Sequence, residues 1–175
     1  RAQFNLGVMY NEGQGVRQDY AKAVKYYKLA ADQGHADAQC NLGYMFTEGK
    51  GVPQDFAKAV KYWNLAADQG YATAQNALGR MYYSGEGVRQ DYAKAVKYYK
   101  LAADQGNADA QASLGAMYYN GKGVRQDFAQ ACKWVQLAAA KGVADAIYNL
   151  DLMQEHNKIP CPPPGTAITT ILLKS

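Results

Sequence analysis

Residues 15–34, GVRQDYAKAVKYYKLAADQG, return without a single change at 87–106, and variants of the same block occupy 51–70 and 123–142. The period is 36 residues. A chain built this way cannot close around one centre. Each unit can bury its apolar face only against its neighbours, so the period alone demands a solenoid. Composition agrees: 49% of the 175 residues are hydrophobic, and the 17 glycines fall at fixed places in each repeat, unlike low-complexity glycine.

Within residues 36–71, Ala38, Leu42, Met45 and Phe46 recur at helical spacing. The run Glu48-Gly-Lys-Gly-Val-Pro-Gln-Asp55 then breaks the pattern. Asp55 is placed to cap a second helix running through Phe56, Ala59, Val60 and Trp63 to a glycine stop at Gly70. Down the chain this predicts first-type helices over about 1–12, 36–48, 72–84, 108–120 and 144–155, and second-type helices over about 20–33, 56–69, 92–105 and 128–141. Gly7, Gly43, Gly79 and Gly115 sit mid-helix, each costing about 1 kcal/mol against alanine. Their recurrence points to helix contacts that a side chain would block. The fold class expected is all-α, a right-handed α/α superhelix of about four and a half repeats. Its domains are a repeat array over 1–156 and a Pro-rich segment over 157–175.

The pattern Ala-x-Ala-x-x-x-Leu-Gly-x-x-Tyr-x-x-Gly-x-Gly-Val, followed by Asp, a helix with Ala-Ala, and Gly, resembles the Sel-1-like repeat, an α/α unit related to tetratricopeptide repeats. Tyr82-x-x-Gly85-x-Gly87-Val88-x-x-Asp91 and Tyr118-x-x-Gly121-x-Gly123-Val124-x-x-Asp127 carry it most clearly. The resemblance covers 1–150 and implies an adaptor that assembles complexes, in bacteria often exported or tied to the envelope. The periplasm or outside is slightly favoured on that ground, with the cytoplasm open. A cysteine-rich subgroup associated with β-lactam binding would have cysteines where this chain has Ala31 and Gln39, so the resemblance implies neither its bridges nor that activity here.

In helix-pair solenoids the first helices line the concave surface. The inward positions by register are Phe4, Asn5, Val8 and Asn11, then Cys40, Asn41, Tyr44 and Thr47, then Asn76, Ala77, Arg80 and Tyr83, then Ala112, Ser113, Ala116 and Tyr119, then Tyr148, Asn149 and Leu152. Val8, Tyr44, Arg80, Ala116 and Leu152 share one position and differ, while the second helices barely change. A held scaffold with a varied lining is what a binding surface requires. Asn5, Asn41 and Asn149 share one register, with Asn76 a residue earlier in its repeat, and such carboxamides can grip a peptide backbone as donor and acceptor together. Tyr44, Tyr83 and Tyr119 add flat contact area, and Arg80 can pair with a carboxylate.

Other signals point nowhere catalytic. The Gly-x-Gly of each loop follows a helix, not a strand, so it reads as turn geometry and not a phosphate cradle. Lys22, Lys25 and Lys28, with Lys94, Lys97 and Lys100, form a basic stripe expected to be solvated. His35 and His156 stand without a ligand cluster, so no metal or cofactor is expected. Net charge is +4 with both signs interspersed, which gives no nucleic-acid footprint. No apolar run approaches the roughly 18 residues of a membrane span. Cys40 and Cys132 lie more than two repeats apart, too far to bridge, and are expected as small buried side chains. Cys161, between prolines, is expected far from the repeating scaffold. Arg1 falls inside a repeat with no initiator methionine, as in a fragment or processed product.

The segment 157–175, NKIPCPPPGTAITTILLKS, shares nothing with the repeats and is expected to cap the last helix or occupy a concave groove, its own or a neighbour's. Self-association through it stays open. The sequence reading is therefore a non-enzymatic scaffold whose concave groove binds a peptide segment of an unidentified protein partner. The alternative is an exported effector or inhibitor of a host or envelope enzyme acting through loops such as Glu48-Gly-Lys-Gly51.

Overall fold

The computed structural model describes residues 1–146 and Cys161. Eight helices follow in chain order: α1 (Ala2–Glu12), α2 (Tyr20–Ala31), α3 (Ala36–Glu48), α4 (Phe56–Asp68), α5 (Ala72–Ser84), α6 (Tyr92–Asp104), α7 (Ala108–Asn120) and α8 (Phe128–Ala139). No strand occurs among the described residues. The helices stack in pairs as an α/α solenoid and match the expected ranges to within two residues at each end. The expectation of a fifth first-type helix over about 144–155 falls, past residue 146, outside the described residues, as does the boundary at 156. The chain forms two compact units, Arg1–Asp91 and Tyr92–Ser175.

In the first unit, α1 to α5 pack by a recurring device. A Cβ on Gly7 would fall 2.5 Å from the Tyr27 ring, and one on Gly43 would fall inside the Trp63 indole. Helices α1 and α3 therefore each give up a side chain so that a ring of the paired second helix can lie against the backbone. Trp63 is held there, its Nε1 donating to the Cys40 carbonyl at 3.2 Å. The loops are equally tight. Gly51 has φ 70°, and a Cβ there would run into the backbone of Tyr20 at the start of the preceding second helix. Loop geometry thus accounts for the Gly-x-Gly signal. Asp19 and Asp55 cap α2 and α4 by accepting from Lys22 N–H at 3.0 Å and Lys58 N–H at 2.9 Å.

Junctions between repeats carry a second device. Gln39 and Gln75 are buried, and their Nε2 groups donate to the carbonyls of Ala31 and Ala67 at the end of the preceding second helix, at 3.2 and 3.4 Å. Each of these carbonyls also accepts from the glycine N–H three residues on, Gly34 and Gly70, at 2.9 Å, so the glutamine is a second donor that ties the next first helix to the end of the preceding second helix. Leu42, Leu78 and a run of fully buried alanines complete the core.

In the second unit, α6 to α8 repeat the plan with one substitution. Gly115 faces Val135 instead of a ring, its added Cβ falling 2.5 Å from Cγ2. Gln111 donates to the Ala103 carbonyl at 3.1 Å. Cysteine chemistry departs from expectation here. Cys132 is disulfide-bonded to Cys161, with Cα atoms 5.6 Å apart, and both are buried in a cluster with Ala131, Val135, Ala138 and Ala146. Cys132 is thus not a mere space-filling side chain, and Cys161 is not remote from the scaffold. Cys40 and Cys132 do not bridge, as expected. Cys40 is the one free cysteine among the described residues, buried as expected.

Candidate functional site

Asn41, Tyr44 and Glu48 lie at i, i+3 and i+7 of α3, one face of the helix. That face closes two adjoining clefts in the first unit. In one, of about 320 Å³, it meets Val8, Asn11 and Glu12 of α1, with Tyr27 of α2 and Lys50 of the loop. In the other, of about 260 Å³, Tyr44, Thr47 and Glu48 face Phe56 and Trp63 of α4, Ala77, Arg80 and Met81 of α5, and Glu86. Tyr44 and Glu48 belong to both. Tyr44 is held edge-on against Trp63, ring centroids 5.3 Å apart.

Polar chemistry in the first cleft is ordered. Burial pushes the Tyr27 pKa up, the neighbouring Asn41 side chain opposes this, and the Glu12 charge adds to it. Lys50 Nζ lies 2.6 Å from Glu48 Oε2, and this hydrogen bond raises the Lys50 pKa. Beneath the clefts, burial pushes the Cys40 thiol up to about 12, with the Asp37 charge adding. It is a neutral thiol at neutral pH and no nucleophile. Tyr71 donates to Asp37 Oδ1 at 2.6 Å, and that bond raises its pKa. His35 Nδ1 lies 3.5 Å from Asp37 Oδ2. No three metal-ligating side chains converge among the described residues.

Of the residues expected in a groove, Asn41, Tyr44 and Arg80 meet in these clefts, joined by Val8, Asn11, Thr47 and Ala77 from the inward positions. Asn76 does not reach the surface. It is buried, and its Oδ1 has no hydrogen-bond partner. Its register explains this: Asn76 stands one residue earlier than Asn41, about 100° further round the helix, at the position of buried Cys40. Asn5 on α1 and Tyr83 on α5 are exposed and line neither cleft. Tyr119 belongs to the second unit, half-buried and edge-on to Phe128 at 5.5 Å. Asn149 lies outside the described residues. Reasoning from the inward register missed Glu12, Glu48 and Glu86, and it assigned Glu48 and Lys50 to a loop role although both line the first cleft. A signal was present: Glu12 and Glu48 hold equivalent positions, 36 residues apart.

Paired helices, caps and glycine contacts of one 36-residue plan also match a family profile. The Sel1 repeat profile aligns with residues 1–35, 36–71, 72–107 and 108–143. The chain belongs to the Sel1 repeat family. Among solved structures, this Sel1 array is similar to c5321, a protective antigen of uropathogenic Escherichia coli strains displaying the SLR fold. The two share 39% identity with a TM-score of 0.84, over 87% of this chain and 32% of that one. A Sel1 repeat protein from Oxalobacter formigenes matches at 39% identity and TM-score 0.78, over 87% of this chain and 44% of that one. Helicobacter pylori cysteine rich protein B matches at 28% identity and TM-score 0.60, over 78% of this chain and 98% of that one. This chain therefore spans a third to under a half of the length of the first two. No curated protein matches it. Sel1 repeats are in general protein–protein interaction modules on a typically non-enzymatic scaffold. No helix among the described residues is long and apolar enough to cross a membrane.

Proposed function

We propose that the first unit binds an extended peptide segment of a partner protein along the two adjoining clefts, without catalysis. The carrying observation is that Tyr44 and Glu48 wall both clefts, so one ligand strand can engage Asn41 on one side and Arg80 on the other. Asn41 supplies a carboxamide for backbone pairing, Tyr44 a rigid aromatic face, and Arg80 a guanidinium with no ion-pair partner among the described residues. The Cys132–Cys161 bond suits an oxidising compartment, which favours export, as does the likeness to a protective antigen.

The inhibitor reading through projecting loops is less well supported. Gly51 and Gly123 bring their loops hard against the backbone of Tyr20 and Tyr92, a folded-in path and not a presented one. The test is capture of partners from lysate by wild type and by a variant carrying Asn41→Ala, Tyr44→Ala and Arg80→Ala, with helical circular dichroism as the fold control. Loss of a specific protein from the variant supports the groove. Equal capture by both rejects it.

A further inference from the structure

A third cleft of the first unit, about 340 Å³, lies on a different face of α3. Phe46 is its α3 contribution, two residues beyond Tyr44 and so about 200° round the helix from that side chain. Phe46 stacks on Tyr62, centroids 5.7 Å apart, and Val52 and Pro53 form an apolar wall. The rim is cationic. Lys28, Lys58 and Lys61 line the cleft, with the ammonium groups of Lys28 and Lys58 at 5.9 and 5.6 Å from the Phe46 ring centroid.

The charge on this rim is poorly balanced. Asp55 is the one carboxylate lining the cleft, and it is committed to capping α4 and pairing Lys58. Asp32 also acts on Tyr62 from nearby. No carboxylate lies within 4 Å of Lys28 or Lys61 among the described residues. The combination is not a by-product of the repeat. The next junction has Asn64 in place of Lys28, the one after has Gln130 in place of Lys58, and the other loops have Arg17, Arg89 or Arg125 in place of Pro53.

We infer that this cleft is a second docking site, for an acidic peptide segment that presents an apolar or aromatic side chain flanked by carboxylates. Val52, Pro53 and Tyr62, above the buried Phe46 ring, take the apolar side chain, and the three lysines take the carboxylates. A bare anion would leave the apolar wall empty, and an anionic membrane asks for a broad basic face and not a recess. Lys28, one residue of the basic stripe expected to be solvated, is exposed and also borders this cleft.

The experiment uses a fluorescein-labelled peptide in which glutamates flank a phenylalanine, and a control peptide with lysine for every glutamate. Binding is followed by fluorescence anisotropy. Wild type should bind the glutamate peptide and not the lysine peptide, with affinity falling as salt rises. Lys28→Glu with Lys61→Glu should weaken binding by about tenfold or more, and the milder Lys28→Gln with Lys61→Gln less. Asn41→Ala with Arg80→Ala should leave it unchanged. The inference is overturned by absent binding to wild type, or by equal binding to the charge-reversed variant. Loss in the Asn41/Arg80 variant alone would overturn it too, by moving the peptide to Arg80. Preferential capture of phosphatidylserine vesicles by the same lysines would replace the peptide with a membrane surface.

Discussion

Val24 of α2 and Cys132 of α8 occupy the same place in the repeat, and the two ends of the described array seal that place differently. Val24 is buried against Ala38, Leu42 and Met45 of the following first helix. Cys132 is buried against Cys161 and bonded to it, with Ala146 in the same cluster. An inner junction is sealed by many small contacts, none of them decisive. The outer face of α8 concentrates its seal in one covalent bond that a reductant can open. Repetition supplies the first kind of closure without limit; the second needs a residue the repeat does not contain.

The largest effect is expected from removing the bond. Cys132→Ser with Cys161→Ser, or treatment with dithiothreitol, should destabilise the second unit by about 3–4 kcal/mol through loop-closure entropy, the bridged residues being 29 apart in sequence. The first unit should be unaffected, as hydrogen exchange resolved by unit would show. Equal protection with and without reductant would mean that packing alone holds Cys161.

A smaller loss is expected from Gly43→Ala. Trp63 is fixed by its hydrogen bond and by Tyr44, so it cannot yield to the new Cβ. A net cost of about 2 kcal/mol should appear in urea unfolding, despite the roughly 1 kcal/mol that alanine gains in helix propensity. Gly115→Ala presses on one Val135 methyl, with the Ala131 carbonyl and Val135 N at a milder 3.2 Å, and should cost less. The reverse order would contradict the ring-against-backbone account.

The smallest effect concerns acid. Backbone N–H donation from Lys22 and Lys58 holds the Asp19 and Asp55 carboxyls below their ordinary value of 3.8. Groups with lowered folded pKa contribute stability that is complete above that ordinary value and is lost as pH falls through the folded one. Asp55→Asn keeps a capping oxygen and removes the titration, so the acid limb below pH 4 should become shallower in pH-dependent unfolding.

Much of this was legible in the sequence because each device recurs. The 36-residue period set the helices, Asp55 announced its cap, and the mid-helix glycines announced the close contacts seen at Tyr27, Trp63 and Val135. What failed was whatever the period does not contain. Cys161 lies outside the repeats, so no register argument could pair it with Cys132. Asn76 was read with Asn41 although one residue of register turns it into the packed interface. Gln39 and Gln75 recur openly, but only buried helix ends show what they tie together. The glutamates of the clefts sit at helix ends and loops, where an inward-face rule drawn from helix centres stops working.

The central claim is that varied residues on α3 and α5, and not the loops, hold the partner. A photo-crosslinking benzoylphenylalanine placed at Tyr44, and separately at Lys122 in the loop after α7, tests it most directly. The account predicts that irradiation in lysate tethers a specific protein through position 44 and not through position 122. Tethering through position 122 alone would contradict it.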